Sequence, residues 1–431
     1  LEDDETLAWV WSAILNSFWV GWLFGTLSVS YIAEKIGRKW SLILSSIISI
    51  IGTGITTASI GSFLPEVMLF GRIVVGAGGA ISASILTLFL QETSPTRARG
   101  FTSTMQQMSV TFNSALGSLL GMQMFLGTDL KTLCGLAFVP ELLQIAVVLF
   151  CPDTPKYNLL VRTDEDRAVR SILFFQGQKA NISVILEEFR TEGKQERDAK
   201  KITLSTVWRE KQLRMGTLIG SVGFVAQEVS GIVIIAYFST TFLIRVGLSP
   251  QIAEIGSTTM LGLNFMAAIV AAYLVESLGR RLVFILTEVL MILALCFYVV
   301  FAFLKLAWGC LATMIVFMVV FAIGPGTIPW FLTAELIPQH ARSFCQSISQ
   351  VVNTVVVFFL AMGALPLYDE VQEYSFVILF IVPSIFCTIF LYLKMPETKN
   401  REISEIVKEL QQQKSNRIHD DNLTKTNETK F

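Results

Sequence analysis

The chain has 431 residues, of which 53% are hydrophobic and only 16% charged, with 33 Lys and Arg against 34 Asp and Glu and a mean hydropathy of +0.60. That balance excludes an ordinary soluble domain and points to a bilayer as the solvent. Crossing about 30 Å of hydrocarbon takes roughly 20 apolar residues per helix.

Eleven runs of this kind follow one another, near 8–33, 40–61, 66–91, 101–124, 133–151, 213–243, 252–276, 282–304, 308–334, 343–365 and 373–394. Each must satisfy its backbone hydrogen bonds internally, which leaves helix as the only sensible assignment.

The links between the runs carry a repeat. Glu34-Lys35-Ile36-Gly37-Arg38-Lys39 returns 242 residues later as Glu276-Ser277-Leu278-Gly279-Arg280-Arg281. Glu92 to Arg99 returns as Glu335 to Arg342, and Pro152-Asp153-Thr154-Pro155-Lys156 as Pro396-Glu397-Thr398-Lys399. Two like bundles built from one duplicated half follow from this. The predicted division is a bundle over 1–152, a polar helical linker over 153–212, a second bundle over 213–395 and a partly disordered tail over 396–431.

Orientation follows from positive charge in the short loops. The loops at 34–41, 92–100, 276–282 and 335–343 hold eight Lys and Arg, whereas those on the other side hold Lys131, Arg245 and Lys305. The first group is expected to be cytoplasmic, and the C-terminal tail with it. Subtracting 242 from the run at 213–243 places its counterpart about 30 residues before Leu1. The sequence therefore reads as five plus six helices of an expected six plus six, a truncated product or an incomplete gene model.

The recurring acids and arginines are candidate gates. A carboxylate and a guanidinium at neighbouring helix ends can pair, bidentate where geometry allows. Arg38, Glu92 and Arg99 in the first half, and Glu276, Arg280, Glu335 and Arg342 in the second, are expected to join across the bundle interface when the inner side closes. The plainer alternative is that they only set topology.

Polar residues inside apolar runs cost free energy in lipid and normally face a cavity or another helix. Gln227, Ser230, Gly231 and Ile234 fall at i, i+3, i+4 and i+7, one stripe of a continuous helix, with Glu228 at its border. Gln107, Asn264, Trp330 and Asn353 each lie in a different run. Amide groups both donate and accept hydrogen bonds, and an indole offers an apolar face, a combination suited to a polar ligand in a cavity. Interhelical hydrogen bonding is the competing role for each amide.

In the order GRK at 37–39, Gly71-Arg72, ETSPTRARG at 92–100, CPDTPK at 151–156, AQEVSGI at 226–232, ESLGRR at 276–281, GPGTIPWFLTAEL at 324–336 and MPETKNR at 395–401, the chain resembles the sugar porter branch of the major facilitator superfamily, the facilitative glucose transporter-like proteins. The resemblance implies an all-α integral membrane protein with the major facilitator fold, two pseudo-symmetric bundles and alternating access. It implies hexose contacts at Gln107, Gln227, Asn264, Trp330 and Asn353, and outer-gate aromatics at Tyr237 and Phe238. Gly324-Pro325-Gly326 with Pro329 would break a helix beside the cavity.

Two departures stand out. Where the family reads QQLSGIN, this chain has Gln227-Glu228-Val229-Ser230-Gly231-Ile232-Val233, so an acid replaces the second Gln and valine the Asn. Ala322 stands where many glucose carriers have Glu. Glu228 is included among the candidate substrate residues; it could bind hydroxyls, carry a proton or select a cationic substrate.

In the linker, Thr163-Asp164-Glu165-Asp166 resembles a capping-box helix start, and a second helix is expected near 182–190. Gly76-Ala77-Gly78-Gly79 within an apolar run is expected to allow close helix packing. The six Cys have no metal spacing, and neither His340 nor His419 has a companion nearby. The expectation is a monomeric plasma-membrane carrier of a hexose or polyol, not an enzyme, with no cofactor, no metal and no nucleic-acid partner. A uniporter is the first reading. A proton-coupled symporter, or a non-transporting sensor or decoy, are the others.

Overall fold

Because lipid offers the backbone no hydrogen-bond partner, the apolar runs can only close on themselves as helices. The computed structural model describes residues 4–62, 64–95, 99–198, 203–399 and 401. Some side chains within the helices, Arg99 and His340 among them, lie outside the described residues, as do the acidic start at 1–3 and the tail expected to be disordered.

The first half comprises α1 (Asp4–Ile36), α2 (Arg38–Ser62), α3 (Pro65–Thr93), α4 (Arg99–Leu120), α5 (Leu130–Leu136) and α6 (Phe138–Phe150). Four short helices follow: α7 (Pro155–Leu160), α8 (Glu165–Gln176), α9 (Ile182–Asp198) and α10 (Leu204–Arg209). The second half comprises α11 (Lys211–Val229), α12 (Ile232–Arg245), α13 (Pro250–Leu278), α14 (Arg280–Phe303), α15 (Ala307–Ile323), α16 (Pro329–Leu336), α17 (Gln339–Val371), α18 (Tyr374–Phe376), a π-helical turn at Val377–Ile381 and α19 (Val382–Lys394). Among the described residues nine stretches are long and apolar enough to span a membrane. The other two of the eleven runs are α4, which is amphipathic, and α15, which is apolar but has only 17 residues.

Without a hydrophobic driving force between helices in lipid, small residues and van der Waals contact hold them together. The glycine-rich stretch does this as expected. A Cβ on Gly76 would come within 2.0 Å of the Phe18 carbonyl oxygen, and one on Gly21 within 1.9 Å of that of Ile73, so the backbones of α1 and α3 touch. The two halves meet where α1 packs on α17 and α4 on α13. Phe112 packs against Phe265 at 5.4 Å, Ser118 hydrogen-bonds Thr258 at 3.0 Å, and the Gln123 N–H donates to Glu254 at 3.3 Å. These contacts run from mid-helix to the end opposite the repeated charged motifs.

Two helix breaks position the interior, and one differs from the expectation. The run at 213–243 is not one helix: Ser230 ends α11 and Gly231, at φ +88°, starts α12. The stripe Gln227, Ser230, Gly231, Ile234 is therefore interrupted at its centre. Glycine adopts this left-handed backbone without steric penalty, and the Phe380 ring lies where a Cβ would need space, 3.0 Å away. Ser384 donates to the freed Val229 carbonyl at 3.2 Å, so the π turn and the break fit one another. The second break falls at 324–328, as the Gly-Pro-Gly sequence implies. The freed carbonyls are answered locally: Gly326 N–H donates to Phe321 O at 2.8 Å and the Thr327 hydroxyl to Ala322 O at 3.0 Å.

The linker helices have a small core of their own, with Leu159, Ala168, Ile172, Leu186 and Phe189 buried together. Phe175 packs edge-on against Phe89 of α3 at 5.6 Å. The cap of α8 is Asp164, whose carboxylate accepts the Arg167 N–H at 2.9 Å. The expected Thr163 start is displaced by one residue because Thr163 turns at φ +55°. The second helix extends to Asp198, beyond the expected 190.

Candidate functional site

The repeated charges form two clusters of the same design. In the first half Arg38 Nη2 pairs with Glu92 Oε1 at 2.8 Å, and Thr154 donates to the other Glu92 oxygen at 2.6 Å. In the second half Arg280 pairs with Glu335 at 3.3 Å, and Thr398 donates to its other oxygen at 2.5 Å. A third acid closes each cluster. Asp153 accepts the N–H groups of Arg38, Lys39 and Thr154, and Glu397 those of Arg280, Arg281, Thr398 and Lys399. Each third acid sits at the positive N-terminal end of a helix, where a carboxylate is favoured. Gly37 and Gly279, at φ +88° and +96°, make the turn that aims those N–H groups.

The latch expected across the bundle interface when the inner side closes is not among the ion pairs described, which close within each half, where the threonine and the third acid hold the glutamate and the helix start. Glu276 is exposed at the end of α13 and Arg342 half-buried near the start of α17. The Arg99 side chain lies outside the described residues.

Between the halves lies a small, largely enclosed cavity lined by Trp22 of α1, Ser84 and Thr87 of α3, Gln106 of α4, Trp330 of α16 and Gln350 and Asn353 of α17. Trp330 is held by an edge contact with Phe224 at 5.4 Å, and its carbonyl accepts from Gln346 at 3.0 Å. Buried polar atoms without a partner cost free energy and call for an explanation. Trp330 Nε1, Asn353 Oδ1, Gln227 Oε1 and Glu228 Oε2 are four of them.

The predicted substrate residues divide on this geometry. Trp330 and Asn353 line the cavity, and the buried Glu228 carboxyl stands against the Asn353 side chain. Gln227 is buried beside Glu228. Gln107 does not line the enclosed cavity; its amide lies against Gly326 at the second helix break, 3.3 Å from where a Cβ would sit. Asn264 is committed elsewhere, its amide donating to the Met318 carbonyl of α15 at 2.7 Å. Of the two aromatics expected at the outer gate, Tyr237 is half exposed, within electrostatic range of Arg72 and Glu228. Phe238 is buried in the core against Phe242 at 6.3 Å.

Three residues escaped sequence reasoning. Gln106, neighbour of the named Gln107, reaches the cavity and is fixed by hydrogen bonds to Thr87 and the Ala83 carbonyl. Arg72 interrupts the third apolar run, with Nε buried and unpartnered. Glu288 of α14 is fully buried, and neither carboxyl oxygen has a partner. The rule that singled out Glu228, a charge inside an apolar run, applies equally to the last two.

Two pseudo-symmetric helical halves around a central polar cavity define a major facilitator transporter. Solved structures similar to this one include the bacterial proton:xylose symporter XylE bound to 6-bromo-6-deoxy-D-glucose, with a TM-score of 0.76 and 17% identity over 94% of this chain and 90% of that one. XylE from E. coli in a partially occluded inward-open conformation superposes with a TM-score of 0.77 and 17% identity, over 93% and 91%. The family profile described as "Sugar (and other) transporter" matches residues 1–410, and the chain belongs to that family. Curated relatives include facilitated glucose transporter member 1 of Gallus gallus, 29% identical over 93% of this chain and 82% of the relative. Member 3 of Mus musculus is 28% identical over 95% and 83%. The chain is a multi-pass membrane protein of the sugar porter type.

Proposed function

We propose that the chain carries a hexose or related polyol across the plasma membrane by alternating access, as a facilitative uniporter with its charged motifs and C-terminus on the cytoplasmic side. The observation that carries this reading is the set of side chains lining the cavity between the halves, which at about 10 Å³ is closed down and must open to admit a sugar. Its two indoles, Trp22 and Trp330, offer apolar faces, while Gln106, Gln350 and Asn353 offer groups that donate and accept. A sugar ring with hydroxyl edges has that same pairing of surfaces. The contacts between halves, away from the charged motifs, support a state closed on the outer side, and the within-half clusters then act to keep each half rigid as it rocks. The named relatives, facilitated glucose transporters at 28–29% identity, support uniport.

One observation favours a second reading, proton-coupled symport. Glu228, which replaces the family's second Gln, is a buried carboxyl against the cavity-lining Asn353 with one oxygen unpartnered. Uptake of labelled glucose, fructose and polyols into proteoliposomes, with and without an imposed pH gradient, tests both. Uptake that follows the sugar gradient alone supports uniport, uphill accumulation driven by protons supports symport, and no uptake of any sugar by correctly inserted protein overturns the proposal.

A further inference from the structure

Where α2 begins, two cavities meet on the outer surface of the first half, away from the central cavity. One is a basic cleft lined by Lys39 of α2, Arg162 beside α7 and Arg167 and Arg170 of α8, with the Asp153 carboxylate at its back. The other is an apolar groove along α2, between Lys35, Ile36, Ile43, Leu44 and Ile47. Trp40 and Arg162 line both, so the two are continuous.

The groove opens toward lipid. Trp40, Ile47 and Ile51, at i, i+7 and i+11 of α2, are 49%, 44% and 53% exposed, one apolar stripe on the outside of the bundle. Trp40 stands at its charged end, the level at which tryptophan settles at a membrane interface.

The cleft keeps unspent positive charge. Arg167 is paired with Asp164 at 2.9 Å. Lys39 uses one donor on the Leu149 carbonyl at 2.8 Å, and Arg170 uses Nε on the Asp166 carbonyl at 3.3 Å. Arg162 lies over the Tyr157 ring at 5.4 Å, which orients its guanidinium without neutralising it. The N–H groups of Arg38, Lys39 and Thr154 all bond Asp153 Oδ1, while Oδ2 is buried without a partner against Gly37. Lys39, Arg162 and Arg170 therefore face the cleft as a cluster of donors around a space that ends in an acyl-sized groove.

We infer that this cleft seats one anionic phospholipid, its phosphate and headgroup among Lys39, Arg162 and Arg170 and one acyl chain along Ile43, Leu44 and Ile47. Basic pockets at the membrane boundary recognise such headgroups. The lipid would join α2 of the first half to the linker helices α7 and α8, and so couple the linker to the composition of the leaflet.

The test uses the full chain in nanodiscs containing phosphatidylglycerol or phosphatidylcholine, each with brominated acyl chains, and reads tryptophan quenching. Brominated phosphatidylglycerol is expected to quench more than brominated phosphatidylcholine at equal fraction, and this excess is expected to vanish in Trp40→Phe. The double variant R162Q/R170Q, checked for an unchanged melting transition, should weaken the apparent affinity by about five-fold for each guanidinium removed, while R162K/R170K retains it. Equal quenching by the two lipids, an excess that survives in Trp40→Phe, or one indifferent to R162Q/R170Q overturns the site. Soluble glycerol phosphate is expected to leave the excess intact; its abolition would make the cleft a free-phosphate site and overturn the lipid assignment.

Discussion

The Glu397 carboxylate accepts the backbone N–H of Arg280 at 2.9 Å from 117 positions along the chain, and so caps the start of α14 from the far end of its half. Asp153 does the same for Arg38 at 3.1 Å at the start of α2. Each bond joins the last repeated motif of a half to its first, which makes the half a closed unit. Asp153→Ala and Glu397→Ala are each expected to destabilise the protein by about 1–2 kcal/mol, the scale of a lost N-cap with its helix-dipole contribution. Thermal unfolding of the purified variants in detergent reads this. A melting transition unmoved by either substitution would show that the caps are idle.

The ion pairs lead to a test of where coupling runs. Because Arg38–Glu92 and Arg280–Glu335 close within separate halves, a double-mutant cycle between Glu92→Ala and Glu335→Ala should be additive within about 0.5 kcal/mol. The Arg280→Ala, Glu335→Ala cycle should show coupling of about 0.5–3 kcal/mol. Strong coupling between Glu92 and Glu335 would show that the two clusters also act across the bundle interface.

Gly231 joins α11 to α12 at φ +88° beneath the Phe380 ring. Gly231→Ala is expected to lose about 1–2 kcal/mol to the left-handed backbone alone, and more from the ring. In a Phe380→Ala background the ring contribution should disappear and the backbone cost remain. Thermal stability of the three variants separates the two parts, and equal losses in both backgrounds would leave the ring contact without consequence.

Glu288 has no hydrogen-bond partner for either oxygen and no exposure. Replacing an unsatisfied buried polar group by an apolar one removes a penalty of about 1–3 kcal/mol, so Glu288→Leu is expected to raise stability by that order. If the variant is instead less stable, the carboxyl has a partner that the native protein needs.

Glu228→Gln removes the carboxyl beside Asn353 while keeping its size. Under uniport, sugar uptake should keep the same independence of an imposed pH gradient. Proton-driven accumulation that disappears in Glu228→Gln, with downhill exchange retained, would establish symport through this residue.

Features that depend on near neighbours in the chain are legible without the fold. Hydropathy over about 20 residues sets a span, Gly-Pro-Gly at 324–326 cannot continue a helix, Gly76 and its neighbours permit contact between backbones, and the duplicated motifs reveal two like halves. The interruption at Gly231 was less legible, since a lone glycine inside an apolar run is compatible with an unbroken helix; the Phe380 ring and the Ser384 hydroxyl, 149 and 153 positions away, make the break the stable form. Partner choice belongs to tertiary structure for the same reason. Asn264 and Asn353 read alike in sequence, yet one spends its amide on Met318 and the other faces the cavity. Gln106 and Gln107 are adjacent and point about 100° apart around α4, and the packing of α4 decides that one meets the cavity and the other the helix break. The repeat indicates which charges belong together, but not with whom each pairs. That was decided when Thr154 and Asp153, and Thr398 and Glu397, folded back onto their own halves and bound the glutamates and helix starts there.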